Sequence, residues 1–353
     1  MNIRKLHRLP FLLLLIVLLC AGHGTIRGQE KSTCAENLKS AQTSFSKGQV
    51  DVIPGLLSEC LKSGFNREEA LSAYKLLIQT LIFNDRLAEA DSSMLSFLKS
   101  NPEYKLSPTD HSSFVYLYNN FVVRPVIMLS IRTGLNVPFL TFIQEHPTSG
   151  LPGKSTYKSD ASNLFLSLEA KFRLTPKLEI GVGAGYSQAK FTNIVPYYEF
   201  AQIQYIEKQQ RLEVPVSVSY DLPGFGKFTP FIRGGIGAAL NLATSADAVL
   251  NMTDKGNPYS RSGGTLDVKD SRTPIDIFGQ AGAGLKFKIP RGFIFLEARA
   301  SVGMMDQYRS GGKNTNTLQN YYFWSSPDFR LNTINLNLGY TLIFYKPSKK
   351  KAE

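Results

Sequence analysis

The chain has 353 residues, 43% of them hydrophobic, and a formal charge of +12. That length leaves room for two domains, and that composition excludes disorder as the default. The charge does not point to nucleic acid: part sits in Arg4, Lys5 and Arg8, part in Lys346, Lys349, Lys350 and Lys351, and the rest is scattered with no basic helix or stripe.

The basic start is followed by an unbroken apolar run from Phe11 to Leu19 and then by Ala21, Gly22, Gly24 and Gly28. A basic region, a short apolar core and small residues before a polar stretch describe a secretory signal peptide over residues 1–28, cleaved near Gly24 or Gly28. About nine apolar residues are too few to cross a bilayer as a helix. Cys20 raises lipidation, but Leu19 stands before it where a small residue is usual. Removal of the leader leaves Cys34 and Cys60, an even pair that in an exported protein predicts a disulfide; the alternative is two small buried apolar side chains.

Residues 29–122 read with a helical period. Cys34, Leu38, Ala41 and Phe45 form one stripe, closed by Gly48. A second helix covers Val50 to Lys62 and stops at Gly64. A third opens at Asn66, with Glu68 and Glu69 in the first turn where the helix dipole favours acids. The fourth runs from Asp85 to Lys99, and Ser107-Pro108 reads as the start of a fifth. Short loops imply antiparallel hairpins, which bring Cys34 near Cys60. Ala73, Tyr74, Leu77, Ala90 and Pro102 occupy positions that resemble those of a tetratricopeptide repeat, although its Trp and Leu-Gly step are absent. The resemblance implies a docking module for peptides or proteins; the alternative is a helical cap that only folds.

From Arg124 the period changes to two, and residues 124–346 repeat it as eight strands. The second sets Leu164, Leu166, Leu168, Ala170 and Phe172 against Ser167, Glu169, Lys171 and Arg173. Glu179 and a run of glycines share the inner face of the third, Arg211 and Glu213 that of the fourth, and Arg233 that of the fifth. In the seventh, G-F-I-F-L-E-A-R-A-S-V-G places Glu297 and Arg299 together, opposite Ile294, Leu296, Ala298 and Ala300.

Connection length argues that the oily faces meet lipid. Strands are joined by short turns at Thr175-Pro176-Lys177, Leu222–Lys227 and Ile289–Gly292, and by long segments at about 139–161, 190–204, 243–273 and 305–330. Short turns at one end and long loops at the other are the pattern of outer-membrane barrels. Phe172, Tyr220, Phe228, Phe287 and Phe344 near the short turns would form an interfacial girdle. The fold expected is α+β in two domains: a helical, tetratricopeptide-like module, then an eight-stranded antiparallel transmembrane barrel, then a basic tail at 347–353.

The runs F-I-R-G-G-I-G-A, F-G-Q-A-G-A-G-L-K-F, F-L-E-A-R-A-S-V-G and L-N-L-G-Y-T-L-I-F resemble the PorT-like outer membrane β-barrel family over nearly all of 124–345. That resemblance implies a barrel with both termini in the periplasm and, for some relatives, a part in protein secretion. The helical segment departs from the plain family.

The expected interior network is Glu169, Lys171, Arg173, Glu213, Arg233, Glu297 and Arg299, pairing inside a narrow barrel. Gly181, Gly183, Gly185, Gly235, Gly237, Gly282 and Gly284 would leave room there for long Arg and Lys side chains. No catalytic constellation emerges: His146 beside Glu145 is a lone loop candidate for a hydrolase, and no metal spacing is present, although Asp247, Asp254, Asp267 and Asp270 share one loop. Tyr321, Tyr322, Phe323 and Trp324 read as an outer aromatic girdle or a ligand surface. The function expected is structural or interaction work in the cell envelope, without enzyme activity or cofactor. Its partners are outer-membrane lipid and a periplasmic protein docked on the helices. A small-solute channel or a barrel hydrolase is the alternative, and the oligomeric state stays open.

Overall fold

The computed structural model describes residues 28–144, 156–197, 201–254, 257–309, 315–322 and 324–350. The expected signal peptide with Cys20, the loop pair Glu145 and His146, Phe323 and Lys351 lie outside the described residues. Two compact units divide the chain: Arg124–Lys346 is one, and the residues up to Val123 join those from Pro347 onward in the other.

The first unit holds α1 (Gly28–Ser46), α2 (Ile53–Ser63), α3 (Arg67–Phe83), α4 (Leu87–Ser100) and α5 (Ser112–Asn119). Residues three and four apart face one core, in which Ile53, Leu57, Ala73, Ile78, Met94, Phe97 and Phe114 are wholly buried. At the start of α3 the Asn66 side chain accepts the N–H groups of Glu68 and Glu69 at 3.0 and 2.9 Å, and the Glu69 carboxylate accepts the Asn66 N–H at 2.9 Å. Such a reciprocal cap is worth about 1 kcal/mol. Cys34 and Cys60 form a disulfide, with Cα atoms 5.6 Å apart and 26 residues of separation. Closing a loop of that length stabilises the fold by about 3 kcal/mol in the chain-entropy account. Gly64 is required beside it, because any Cβ there would collide with Cys34 Sγ.

One expectation for this unit needs correction. The last helix begins at Ser112, capped by His111, and not at Ser107-Pro108. The cause is Asp110, whose carboxylate accepts the Ser107 N–H at 2.7 Å, the Tyr104 hydroxyl at 2.6 Å and the Lys75 ammonium at 2.5 Å. These bonds close residues 107–110 as a turn. At the start of the basic tail, the Lys350 N–H donates to the Asn120 carbonyl at 2.8 Å, and Lys349 pairs with Asp91.

The Asp110 cluster sets a pH window. Burial opposes the charged carboxylate, but the Lys75 and Tyr104 side chains and the Ser107 N–H together hold Asp110 below the ordinary carboxylate value. Burial likewise opposes the Lys75 cation, and Asp110 and Tyr104 raise it above the ordinary amine value. A depressed acid stabilises above its unfolded pKa of about 4 and loses that contribution as pH falls through the folded value; a raised amine does so below about 10.4 and loses it as pH rises. Helix melting followed at 222 nm should therefore show Asp110→Asn less stable than wild type at neutral pH, with the gap closing as pH falls below about 4. A gap of constant size across that range would remove the charge from the explanation.

The second unit is a ten-stranded antiparallel sheet: β1 (Phe121–Gln144), β2 (Thr156–Ser159), β3 (Asn163–Arg173), β4 (Leu178–Tyr197), β5 (Ala201–Asp221), β6 (Phe228–Asp254), β7 (Asn257–Asp267), β8 (Ile275–Ile289), β9 (Gly292–Gly303) and β10 (Asp328–Lys349). The pairings run β1, β3, β4, β5, β6, β8, β9, β10 and back to β1, so the sheet closes into a barrel. The eight expected strands supply this circuit; β2 and β7 are additional. Register lays Leu129, Ala170, Val182, Val216, Ile236, Gly279 and Val302 side by side around the outer face.

At the long-connection end several expected loops are strand. β4 and β5 run through most of 190–204, and β6 with β7 fills most of 243–273. The segment 305–330 contains a further helix, α6 (Thr315–Tyr322). Ile203, Ala246, Ala248 and Leu250 on these extensions face Leu318, Tyr322 and Trp324, which explains why they stay sheet: a small second core covers their inner side. No described helix is long and apolar enough to cross a membrane.

Candidate functional site: the barrel interior

Alternation around a closed sheet puts one face of every strand inside. The inside here is ionic, and it is filled. Arg132, Glu169, Lys171, Arg233, Glu297 and Arg299 are each 4% exposed or less, while Leu168, Ile236, Leu336 and Leu338 on the outer face are each more than 50% exposed. A soluble barrel would show the reverse, since burying a charge costs far more than burying a leucine.

Glu169 is the hub. Its carboxylate accepts Arg132 Nη2 at 2.6 Å, Arg233 Nη1 at 2.7 and 3.0 Å, and the Ser217 hydroxyl at 3.0 Å. Lys171 Nζ lies 3.5 Å away, over the rings of Phe293 and Phe295. Glu297 faces the same two arginines, 3.4 Å from Arg132 Nη1 and 3.4 Å from Arg233 Nε. Only the first of these is aligned as a hydrogen bond; Arg233 Nε and Nη2, Glu297 Oε1 and both polar atoms of Asn337 are buried without a hydrogen bond inside the protein. Gly181 makes the hub possible, since a Cβ there would come within 2.6 Å of Glu169 Oε1.

Toward the long-connection end Arg299 donates to Asn335 at 3.1 Å and Gln280 at 3.0 Å and lies 3.8 Å from Glu213, which accepts the Ser187 hydroxyl at 2.6 Å. Arg211 pairs with Asp276 at 2.9 Å. Toward the short turns Lys286 bridges Glu179 at 3.0 Å and Asp221 at 2.6 Å, and Arg173 joins Glu179. All seven expected network residues therefore lie inside, but in three linked groups. Arg132, Glu179, Arg211, Asp221, Asp276 and Lys286 complete these groups. The same alternation marks most of them in the sequence. The glycine space serves the acid Glu169 and the rings of Phe231 and Phe278 as well as Arg299, not only long cations.

Apolar layers close the interior on both sides of the charges. Met128, Phe231, Phe293 and Phe295 pack together at the short-turn end. Ala189, Phe191, Phe329 and Leu331 do so toward the other, with Glu207 and Arg272 beyond them, paired at 2.6 Å. Above that pair Trp324 stacks on Tyr205, with centroids 3.5 Å apart and planes 13° apart. Tyr322 and Trp324 are thus buried in the covering core, neither girdle nor ligand surface, and Tyr321 alone of the described aromatics in that run is exposed. Glu207 and Arg272 carry no sequence signal because both fall in stretches without an apolar period.

Among the described residues no group of three His, Cys, Asp or Glu side chains is placed to hold a metal. Asp247 stands opposite Thr265 on β7, and Asp267 accepts the Lys269 N–H at 3.0 Å.

No family model and no curated protein matches the chain. Solved structures to which it is similar include Neisserial surface protein A, at 10% identity over 62% of this chain and 97% of that one with a TM-score of 0.32. Ail, the attachment invasion locus protein of Yersinia pestis, is similar at 14% identity over 62% and 99% with a TM-score of 0.27. The outer membrane protease OmpT from Escherichia coli is similar at 8% over 62% and 96% with a TM-score of 0.35. At these values the likenesses carry no argument, and the barrel rests on its own circuit of pairings and on which face it buries.

Proposed function

We propose that this chain is an integral outer-membrane β-barrel that anchors a helical docking unit in the periplasm, with both termini on that side. Its work is structural or interactive, in secretion or assembly across the envelope as the PorT-like resemblance implies, and not enzymatic. The carrying observation is the inverted burial pattern: an exposed apolar band outside and a buried ion network inside. Lipid is the solvent that stabilises that arrangement. The disulfide fits an oxidising compartment, and the five-helix unit offers the surface for a protein partner. A filled interior capped by apolar layers favours an anchor over a solute channel.

The test has two readings on the purified full chain. Unboiled protein from the outer-membrane fraction should migrate differently in SDS from boiled protein, and planar bilayers containing it should show no steady unitary conductance. Protein that is soluble without a heat-dependent shift would overturn the membrane assignment. A stable conductance would make it a small-solute channel.

A further inference from the structure

We infer that Lys158, Lys190 and Lys208, on the outward face of the sheet beyond its apolar band, bind the phosphate of a phosphorylated glycolipid in the outer leaflet; the inference rests on the membrane reading above, which puts the long-connection end outside the cell. Alternation decides which way these side chains point. Ala189, Phe191, Glu207 and Gln209 are buried inside, so Lys190 and Lys208 between them face out, the first half-buried and the second exposed. The buried Asn193 amide donates to the Tyr157 hydroxyl at 2.8 Å, which puts Tyr157 inside and Lys158 out. Register sets Lys190 directly opposite Lys208, and Lys158 opposite Thr192, the next outward residue of β4. Like charges facing each other across an antiparallel pair repel. Two acids share this face. Asp160, whose N–H bonds the Lys190 carbonyl, pairs with Lys190 at 3.1 Å from the β2 side, away from β5. Asp247 stands opposite Ile206, diagonal to Lys208. Among the described residues neither Lys158 nor Lys208 has a carboxylate within ion-pair distance. Three ammonium groups against two acids leave this face one positive charge in excess, and a phosphate set between the lysines removes their repulsion.

Depth names the source of the phosphate. On the same face of β5 the exposed apolar run Val218, Val216, Val214 and Leu212 ends, Gln210 follows, and Lys208 comes next. Four residues from Leu212 to Lys208 cover about 13 Å along the strand, or about 10 Å along the membrane normal at a tilt of about 40°. That rise carries the ammonium groups out of the hydrocarbon and into the headgroup layer. Gln210, opposite Gln188 one step below, adds an amide donor at the edge of the site. Side chains on the outward face of a barrel strand at this depth point sideways at neighbouring lipids and not up into solvent. The anion that meets them is therefore one fixed on a lipid, and β4 and β5, paired along this whole stretch, hold the lysines on rigid elements.

The full chain, folded in neutral detergent micelles and immobilised, would be titrated with radiolabelled monophosphoryl lipid A, the same lipid after removal of its phosphate, and inorganic phosphate. The expected result is about tenfold stronger retention of the phosphorylated lipid than of its dephosphorylated form at low salt, weakening at about 0.5 M salt. The double variant Lys158→Gln with Lys208→Gln should lose about tenfold in retention of the phosphorylated lipid and little in that of the other. Arginine at both positions should retain it. Glutamine at Lys177 and Lys227, at the short-turn end, should change nothing. Heat-dependent mobility confirms that each variant is folded. Equal retention of the two lipids by wild type, or undiminished retention by the double glutamine variant, overturns the inference. Inorganic phosphate bound as tightly as the lipid makes this a free-anion site and overturns the lipid assignment. Wild type without a heat-dependent shift overturns the membrane reading and this one with it.

Discussion

Glu169→Ala should be the most damaging single change in the barrel. It removes the carboxylate that accepts from Arg132 and Arg233 at 2.6 and 2.7 Å and leaves Lys171 without its nearest counter-charge. All three cations stay buried, since closing layers on both sides keep bulk water away. Breaking a buried pair from one side costs about 3–5 kcal/mol, because the uncompensated charge remains. Glu297 cannot absorb the loss: it already faces both arginines at 3.4 Å. Denaturant unfolding in detergent micelles or vesicles measures the cost. A companion Arg233→Leu should be less harmful in the Glu169→Ala background than in wild type, because the double change removes an unpaired charge. A loss under about 1 kcal/mol for Glu169→Ala would mean that water or rearrangement solvates the hub, and that the interior is open enough to conduct.

This hub shows how far the sequence could be read. Period-two alternation assigns every residue of β3 and β9 to a face, and so puts Glu169, Lys171, Glu297 and Arg299 inside one barrel. It does not say who pairs with whom, because pairing across the lumen depends on the stagger of strands far apart in sequence. Arg132 and Glu169 are 37 residues apart, Arg132 and Glu297 165 apart. The long-connection end was less legible. β7, N-P-Y-S-R-S-G-G-T-L-D, is exposed on both faces through Ser260–Thr265, so it has no apolar period to detect. β2, T-Y-K-S, is too short to show one. Both are sheet because a longer neighbour, β6 or β4, offers a ladder of unpaired backbone groups. Trp324 was legible as an aromatic but not as a buried one, since its partner Tyr205 lies on a strand just past the segment 190–204 that read as loop, and nothing in the sequence joins the two. In the helical unit the failure at Ser107-Pro108 has a local cause: Asp110 offered the turn three hydrogen bonds that no propensity scale contains.

Leu336→Arg separates lipid from water as the solvent of the outer face. Leu336 is 53% exposed near the middle of β10, between Ile334 and Leu338, which are exposed to a similar degree. Its cross-strand neighbour on β9 is Ala298, a side chain too small to shield an arginine. If that face meets water, the substitution replaces an exposed leucine with a soluble residue and changes stability by no more than about 0.5 kcal/mol, with a gain in solubility. If it meets hydrocarbon near the bilayer midplane, the guanidinium must thin the membrane or draw water to itself, at about 2–4 kcal/mol. The same substitution at Leu174, beside the short turn and 59% exposed, should cost about 1 kcal/mol or less, because the side chain reaches the headgroups. Depth dependence is thus the signature: unfolding measured in vesicles should rank Leu336→Arg far below Leu174→Arg, though the two leucines are about equally exposed. Equal and negligible effects would place the apolar band in water or against another protein. The ion network would then be the core of a soluble barrel turned inside out, an arrangement that burial energetics do not support.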